Sequence, residues 1–280
     1  MDHPKLELNR SYLFVPGNRP ERFSKAINSG TDVVIIDLED AVPTEEKDSA
    51  RQTVFDYFEE NIKFSIPVYL RVNSMKSIHG LKDVISLTEC NNLPFGIVIP
   101  MVDSPEEVSW YDNYFKNISS DFKYIVVIET AIGLENVESI AFSSDNIFAL
   151  GFGSADYTSQ TGSNLDWDSL LYARSRIVNA AAMAGIYPID GVWPDITDSE
   201  GLEYETKKVS CLGFNGKIAI HPNQISGIHE GFKPSSKEIE FAKKVVSEYE
   251  NSGGGVITVE GKMIDEPLVV SARRTIALSD

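Results

Sequence analysis

Cysteine and positive charge are both scarce in this sequence, and each scarcity excludes a class of protein. Only 2 of the 280 residues are cysteine, which is too few for a disulfide framework, and their spacing fits no metal-binding motif. Lysine and arginine number 25 against 42 aspartates and glutamates, so the formal net charge is −17. A field of that sign repels phosphate, which disfavours nonspecific binding to nucleic acid or to an anionic membrane. A local basic pocket for one phosphorylated ligand is still compatible with it.

Long apolar runs are absent as well. No stretch approaches the roughly 20 apolar residues that a membrane-spanning helix needs. The polar start MDHPKLELNR predicts no signal peptide. We therefore expect a soluble, cytoplasmic protein whose 280 residues, 42% of them hydrophobic, can form one large core.

The sequence does contain a regular alternation of short apolar runs with longer amphipathic segments. The apolar runs are rich in Val and Ile without strict alternation, as in strands that are covered on both faces. The predicted strands are SYLFVPG, DVVIIDLED, PVYLRVN, GIVIPM, YIVVIET, NIFALGFG, YPIDGVW and GKIAIHP. Such strand–helix units over about 220 residues indicate the α/β class and a (β/α)8 TIM barrel. An open doubly wound sheet is disfavoured, because PGNRP after the first strand is not the Gly-rich turn of that fold.

The C-terminal segment lies outside this repeat. The linker-like NSGGG at 251–255 is followed by VITVEGKMIDEPLVVSARRTIALSD. We therefore expect a barrel domain over residues 1–250 and a C-terminal extension over 251–280. The extension is predicted to form a hairpin and a helix that fold over its own barrel or over a neighbour's.

Acidic side chains follow several predicted strands, at the end of the barrel where active sites lie. In IIDLED the carboxylates of Asp37, Glu39 and Asp40 close a run that otherwise predicts a buried strand, and Glu129 directly follows YIVVI. Asp156 follows the sixth strand in GFGSAD. Buried carboxylates repel one another and lose hydration, whereas a hard divalent cation takes oxygen ligands and offsets both effects. The sequence therefore predicts a metal site with IIDLED as one wall.

Basic side chains occupy two places that matter for ligands. Arg71 in YLRVN interrupts a strand that should be buried, so it needs a carboxylate or ligand partner. Arg19, Arg22 and Lys25 are spaced three apart near the start of a predicted helix, where the helix dipole favours phosphate. A solvated helix face is the plainer interpretation. In so acidic a chain, however, the cluster favours a phosphorylated carrier, with coenzyme A first and the phosphopantetheine of an acyl carrier protein second.

Several blocks of the sequence together resemble the citrate lyase beta-subunit-like proteins. These belong to the HpcH/HpaI aldolase superfamily, which includes malyl-CoA and citramalyl-CoA lyases. The blocks are LFVPGNRPERFSKA, IIDLEDAV, YLRVN, VVIETAIGLEN, GFGSADY, GFNGKIAIHPNQI and GKMIDEP, in the family's order over residues 11 to 275. The resemblance implies a TIM barrel, a catalytic Mg²⁺, trimers or hexamers built from trimers, and reversible cleavage of 3-hydroxy-acyl thioesters.

The resemblance also implies roles for single residues. Glu129 and Asp156 match the family's two metal-binding carboxylates, Arg71 matches an arginine that contacts the substrate oxygens, and Glu39 matches an active-site acid. Asp265 in GKMIDEP falls where some relatives carry an acid supplied by an adjacent subunit.

The residues at the positions where relatives place charges against the coenzyme A phosphates are Arg19, Arg22 and Lys25. Met101 stands where many relatives have lysine, and Ala155 stands where many have a second acid, which puts the acyl substrate in doubt more than the reaction class.

These observations predict a Mg²⁺-dependent carbon–carbon lyase acting on a thioester such as malyl-, citramalyl- or citryl-CoA, with a 2-oxo acid and an acyl-CoA as products. One alternative on the same barrel is an aldolase on free 2-oxo acids, and another is an acyl-CoA thioesterase. A non-catalytic or regulatory thioester-binding subunit is the alternative of another class. A non-catalytic subunit would have no need of the four residues that match the family's active site, so we favour the enzyme. These residues are Glu39, Arg71, Glu129 and Asp156.

Overall fold

Eight parallel strands close into a barrel in the computed structural model, which describes residues 9–61, 63–115 and 122–279. Each strand pairs with the next along the chain, and the eighth pairs with the first. The strands are β1 (Ser11–Pro16), β2 (Val33–Asp37), β3 (Val68–Arg71), β4 (Gly96–Ile99), β5 (Lys123–Ile128), β6 (Ile147–Phe152), β7 (Tyr187–Asp190) and β8 (Gly216–Ala219). The predicted (β/α)8 barrel is confirmed. The first eight residues, which include most of the polar start, lie outside the described part.

Helices of this unit, which spans residues 9–231, follow the strands and cover their outer faces. They are α1 (Phe23–Ile27), α2 (Lys47–Glu60), α3 (Ile78–Glu89), α4 (Pro105–Phe115), α5 (Ala131–Glu135), α6 (Val137–Ala141), α7 (Ser154–Thr161), α8 (Trp167–Ala184), α9 (Ser199–Leu212) and α10 (Ile225–Phe232). In the described ranges, no helix is long and apolar enough to cross a membrane.

The barrel interior is a closed apolar cluster. Its members come from all eight strands: Tyr12, Val33, Ile35, Tyr69, Val98, Ile125, Val127, Ala149, Ile189 and Ile218. Because side chains alternate between the two faces of a strand, the next inward positions toward the carboxyl ends lie two residues further on. After Ile35, Tyr69 and Val127, these positions hold Asp37, Arg71 and Glu129. Along β6, the inward positions that follow Ala149 hold two glycines, Gly151 and then Gly153. The barrel core thus ends in a polar layer at one mouth.

The second compact unit, residues 232–279, has an apolar cluster of its own. It contains α11 (Ser236–Ser252), an antiparallel hairpin of β9 (Ile257–Val259) and β10 (Lys262–Ile264), and α12 (Glu266–Ala277). The predicted hairpin and helix are therefore present. The apolar side chains of α11, among them Ala242 and Val245, join those of the hairpin and α12, so that α11 belongs to this unit. The domain boundary at residue 250 stays a prediction from sequence.

Candidate active site

Arg71 and Asp37 form the centre of the polar layer. They are neighbours across the β2–β3 ladder, and both Nε and Nη2 of Arg71 donate to the two carboxylate oxygens of Asp37 at 2.7 Å. Asp37 also accepts the backbone N–H groups of Glu39 and Ala41, at 2.8 and 3.0 Å. These four bonds compensate a carboxylate that is completely buried. Asp37 thereby fixes both the guanidinium and the turn that carries Glu39.

Two further carboxylates reach the same guanidinium. Nη1 of Arg71 lies 2.9 Å from Glu39 Oε2 and 3.4 Å from Asp40 Oδ2. The central carbon of the guanidinium, Cζ, lies 4.7 Å from the centroid of the Phe14 ring. The carboxylate partners that a buried Arg71 required are therefore the three acids of IIDLED. Burial raises the pKa of Glu39 to about 8, because the desolvation and the neighbouring carboxylates outweigh the attraction of Arg71.

Glu129 follows β5 and is 3% exposed. Its Oε1 accepts the backbone N–H of Met101 at 2.5 Å. A β-carbon at Gly153 would collide with the Glu129 side chain, so the glycine is what leaves room for it. Burial raises the pKa of Glu129 to about 7, with the Met101 N–H lowering it and the Asp156 carboxylate raising it.

Asp156 lies in the first turn of α7 and joins Glu129 at the mouth of the barrel. Its pKa is raised by burial and by Asp40, while Arg71 and a hydrogen bond with Glu129 lower it. The two carboxyl groups that the family resemblance pairs are thus adjacent in the structure.

The charge balance of this layer fits a divalent cation. Its carboxyl groups are Asp37, Glu39, Asp40, Glu129 and Asp156, and they surround the guanidinium of Arg71. Within the described ranges, no three His, Cys, Asp or Glu side chains form a ready metal cage. A pair of carboxylates is nevertheless enough for Mg²⁺, which keeps several waters and commonly takes only one or two protein carboxylates. Glu129 and Asp156, adjacent and short of positive charge, suit that ion.

A second layer of contacts behind the site had no signal in the sequence. Lys47 Nζ donates to the carbonyl oxygens of Leu38 and Glu39 at 3.0 and 2.9 Å, and to Asn73 Oδ1 at 2.6 Å. Asn73 is held in turn by the buried Asp83, which bonds its backbone N–H and its side-chain amide at 2.7 Å. Lys47 and Asn73 therefore hold the backbone of the IIDLED turn in place. Lys47 is a polar helix residue in sequence, and only the folded chain shows which carbonyls it reaches.

The basic cluster is exposed and less regular than predicted. Arg19 precedes a 3₁₀ turn at Pro20–Arg22, Arg22 ends that turn, and Lys25 lies in α1, which begins only at Phe23. The three residues thus lie across a 3₁₀ turn and the start of α1, and their contact with phosphate stays a prediction. Pro20 opens a 3₁₀ turn in place of a regular helix. All three side chains are exposed on the segment that follows β1.

Asp265 lies in the second unit, where it begins α12 by accepting the Leu268 N–H at 3.4 Å. Its predicted role as an acid donated to an adjacent subunit stays a prediction. His221, after β8, accepts the N–H of Asn223 at 3.2 Å, which is the backbone role that its sequence context favours.

A closed (β/α)8 barrel whose acids surround the Arg71 guanidinium at one mouth is typical of a TIM-barrel enzyme. Residues 10–222 match the model of the family described as HpcH/HpaI aldolase/citrate lyase. The chain is 31% identical over 296 residues to the mitochondrial citramalyl-CoA lyase of Homo sapiens, covering 99% of this chain and 87% of that one. It is 33% identical over 281 residues to the citrate lyase subunit beta of Haemophilus influenzae, covering 96% of each.

Solved structures give the same relationship. The protein CitE from Mycobacterium tuberculosis, in complex with magnesium, acetoacetate and coenzyme A, superposes with a TM-score of 0.83 at 28% identity, covering 97% of this chain and 98% of that one. RipC from Yersinia pestis is 37% identical with a TM-score of 0.73, covering 84% of this chain and all of that one. The chain belongs to the HpcH/HpaI aldolase/citrate lyase family. It is a carbon–carbon lyase of the citrate lyase beta-subunit-like type.

Proposed function

We propose that the chain is a Mg²⁺-dependent lyase that cleaves, or in reverse forms, a 3-hydroxy-acyl-CoA thioester. The products of cleavage are a 2-oxo acid and an acyl-CoA such as acetyl-CoA. The observation that carries the proposal is the adjacency of Glu129 and Asp156 beside the fixed guanidinium of Arg71. The relatives named citramalyl-CoA lyase and the CitE complex with magnesium and coenzyme A support it.

Glu129 and Asp156 would hold the Mg²⁺. When bound, this ion supplies Lewis-acid stabilisation of negative charge on the substrate oxygens. The backbone N–H of Met101 holds Glu129 in place. Gly153 has no side chain and therefore leaves space for the Glu129 carboxyl group. Deep burial of Glu129 excludes water from that side of the site.

Arg71 supplies a positive charge that cannot rotate away, because Asp37 holds two of its nitrogens. Breaking the carbon–carbon bond leaves negative charge on the enolate oxygen of the acyl product. Preorganised donors aimed at such charge are typically worth about 3 kcal/mol each. Arg71 therefore acts by orientation and charge at the substrate oxygens.

Cleavage passes the proton of the substrate hydroxyl to a carboxylate that acts as base, and the enolate carbon gains a proton from an acid. With a pKa of about 8, Glu39 is mostly protonated at pH 7, which suits donation to the enolate. Asp265 of a neighbouring copy is the second candidate for moving a proton, in line with the proposed homotrimer or hexamer. Arg19, Arg22 and Lys25 are proposed to contact the coenzyme A phosphates. A cytoplasmic location stays a prediction.

The test is a coupled assay of the purified chain with Mg²⁺ against malyl-CoA and (S)-citramalyl-CoA, with detection of released 2-oxo acid. We expect release that stops on addition of EDTA, with the preferred thioester identifying the acyl group. Release of free coenzyme A without 2-oxo acid would indicate a thioesterase. Turnover of free 2-oxo acids in the absence of saturable coenzyme A binding would indicate an aldolase. Absence of turnover on any of these, with Mg²⁺ bound, would favour a binding subunit.

The raised pKa values of Glu39 and Glu129 predict an unusual dependence of stability on pH. Between the ordinary carboxyl pKa of 4.5 and values of about 7 and 8, the folded chain keeps protons that the unfolded chain has released. The free energy of unfolding should therefore fall as the pH rises through this window. We expect the Tm of the metal-free chain to drop by about 5 °C or more from pH 6 to pH 8.

Saturating Mg²⁺ should largely remove that drop, because the cation stabilises the ionised carboxylates and binds only the folded chain. Differential scanning calorimetry at both pH values, with and without Mg²⁺, measures the effect. A metal-free Tm that rises from pH 6 to pH 8 would contradict the burial of these two acids.

A further inference from the structure

Lys76, in the loop between β3 and α3, directs its ammonium group to the turn between β4 and α4 and to the first turn of α4. Nζ donates to the carbonyl oxygen of Met101 at 2.9 Å, to Asp103 Oδ2 at 2.6 Å and to Glu107 Oε1 at 3.1 Å. A lysine ammonium has three donors, so these contacts account for all of them. One side chain from a neighbouring loop thus binds two points of this turn, Met101 and Asp103, and a third point, Glu107, in the first turn of α4.

The same turn holds the end of β5. The backbone N–H of Met101 bonds Glu129, and the carboxylate of Asp103 accepts the hydroxyl of Thr130. Thr130 in turn begins α5 by accepting the N–H of Gly133 at 2.9 Å. Two consecutive residues after β5 therefore depend on contacts from the turn that Lys76 binds.

Met101 has a backbone conformation that needs such support. Its φ is 54°, a left-handed value that non-glycine residues rarely adopt. This conformation directs the N–H of Met101 to Glu129 while its carbonyl oxygen meets Lys76. Loss of the ammonium would remove the cation that binds this carbonyl oxygen, Asp103 and Glu107.

We propose that Lys76 is a positioning residue for Glu129, which acts through the left-handed backbone of Met101 and sets the affinity of the site for Mg²⁺. The inference rests on the proposed function only for its second part. The positioning of the Met101 N–H is a property of the metal-free chain. Lys76 makes no contact with the reacting groups in this scheme.

The variants are Lys76→Met, which removes the ammonium, and Lys76→Arg, which keeps a multidentate cation. The Lys76 side chain is 49% exposed and borders a cavity of about 400 Å³, so arginine can enter without repacking. Lys82→Met is the matched control. Lys82 lies on α3, is 42% exposed and is paired with Asp48 at 2.7 Å, away from the β4–α4 turn.

Two measurements are made on each variant of the full chain. Isothermal titration calorimetry should give a Kd for Mg²⁺ about tenfold weaker in Lys76→Met, as for other residues that support metal ligands, with Lys76→Arg within about threefold of the original chain. Hydrogen exchange of the metal-free chain, followed by mass spectrometry over residues 98–104, should show faster exchange of the Met101 amide in Lys76→Met alone. Lys82→Met should change neither.

The outcomes separate the two proposals. Unchanged Met101 exchange in Lys76→Met would overturn the positioning role, whatever its Tm. Faster exchange with unchanged Mg²⁺ affinity would overturn the coupling to the metal. If the original chain binds no Mg²⁺ but Met101 exchange still depends on Lys76, the proposed function fails and the positioning role stands.

Discussion

Replacing Glu129 with glutamine is expected to abolish Mg²⁺-dependent turnover while leaving the fold intact. Glutamine has the same length and keeps an oxygen for the Met101 N–H, so the 2.5 Å contact to that backbone group can survive. The variant loses the negative charge that the cation needs. Support residues around metal ligands are worth 10–100-fold in affinity, so a direct ligand should cost at least about 100-fold. We expect turnover to fall by about 1,000-fold or more.

The Glu129→Gln measurement combines calorimetric Mg²⁺ titration, the coupled assay and a thermal scan. Glu135→Gln is its matched control, because Glu135 lies six residues further on, on α5, with a side chain that is 79% exposed. The metal-free Glu129→Gln chain should also lose part of its Tm decrease between pH 6 and pH 8, because one of the two responsible carboxyls is gone. Retained turnover in the presence of EDTA would refute the scheme.

Replacing Arg71 with methionine is expected to damage both stability and activity. Asp37 is fully buried and receives two of its four bonds from Arg71, so the variant leaves a buried carboxylate without its counter-ion and removes the partner of Glu39. Breaking a buried ion pair from one side typically costs about 3–5 kcal/mol. Loss of a preorganised donor at the substrate oxygens should lower turnover by a further factor of about 100 or more.

Urea unfolding at pH 7 measures the stability of Arg71→Met, and the coupled assay measures its turnover. The control is Arg273→Met, which breaks the exposed pair with Glu250 and should cost at most about 1 kcal/mol. Arg71→Lys should recover only part of the loss, because an ammonium cannot make the fork-like contact with Asp37. An Arg71→Met chain as stable as the original would show that Asp37 does not depend on this pair.

The barrel could be predicted from the sequence because its strands are covered on both faces. Such strands appear as short runs rich in Val and Ile, and all eight of them are present in the structure. Helices were harder to predict. α9 reads SEGLEYETKKVSCL, in which apolar residues are few and the packing face is narrow, so local pattern alone does not mark it. α3 follows an irregular loop, and its cap, Ser77, accepts the N–H of Gly80 without the acidic signature of a capping box.

The acids of the site were visible because a carboxylate has no structural reason to end an apolar run. Asp37, Glu39 and Glu129 each stand at such an end, and the barrel brings those ends together. The supporting groups were not visible. Lys47 and Lys76 lie in polar segments, and their importance comes from which carbonyl oxygens they reach in space. The left-handed backbone of Met101 likewise results from tertiary contacts, since nothing in IPM favours it.

Because many carboxyl groups surround one guanidinium, some of those at the mouth of the barrel stay protonated near neutral pH. At that pH, Glu129 and Glu39, with pKa values of about 7 and 8, together hold between one and two protons. Uptake of a divalent cation must displace a share of these protons into the buffer, since metal ligands bind in their ionised form. Acidification of the surroundings therefore competes with the cation for the same oxygens. With Mg²⁺ as the ion of the proposed site, a fall in pH of one unit would act on this enzyme much as a lower supply of that ion does.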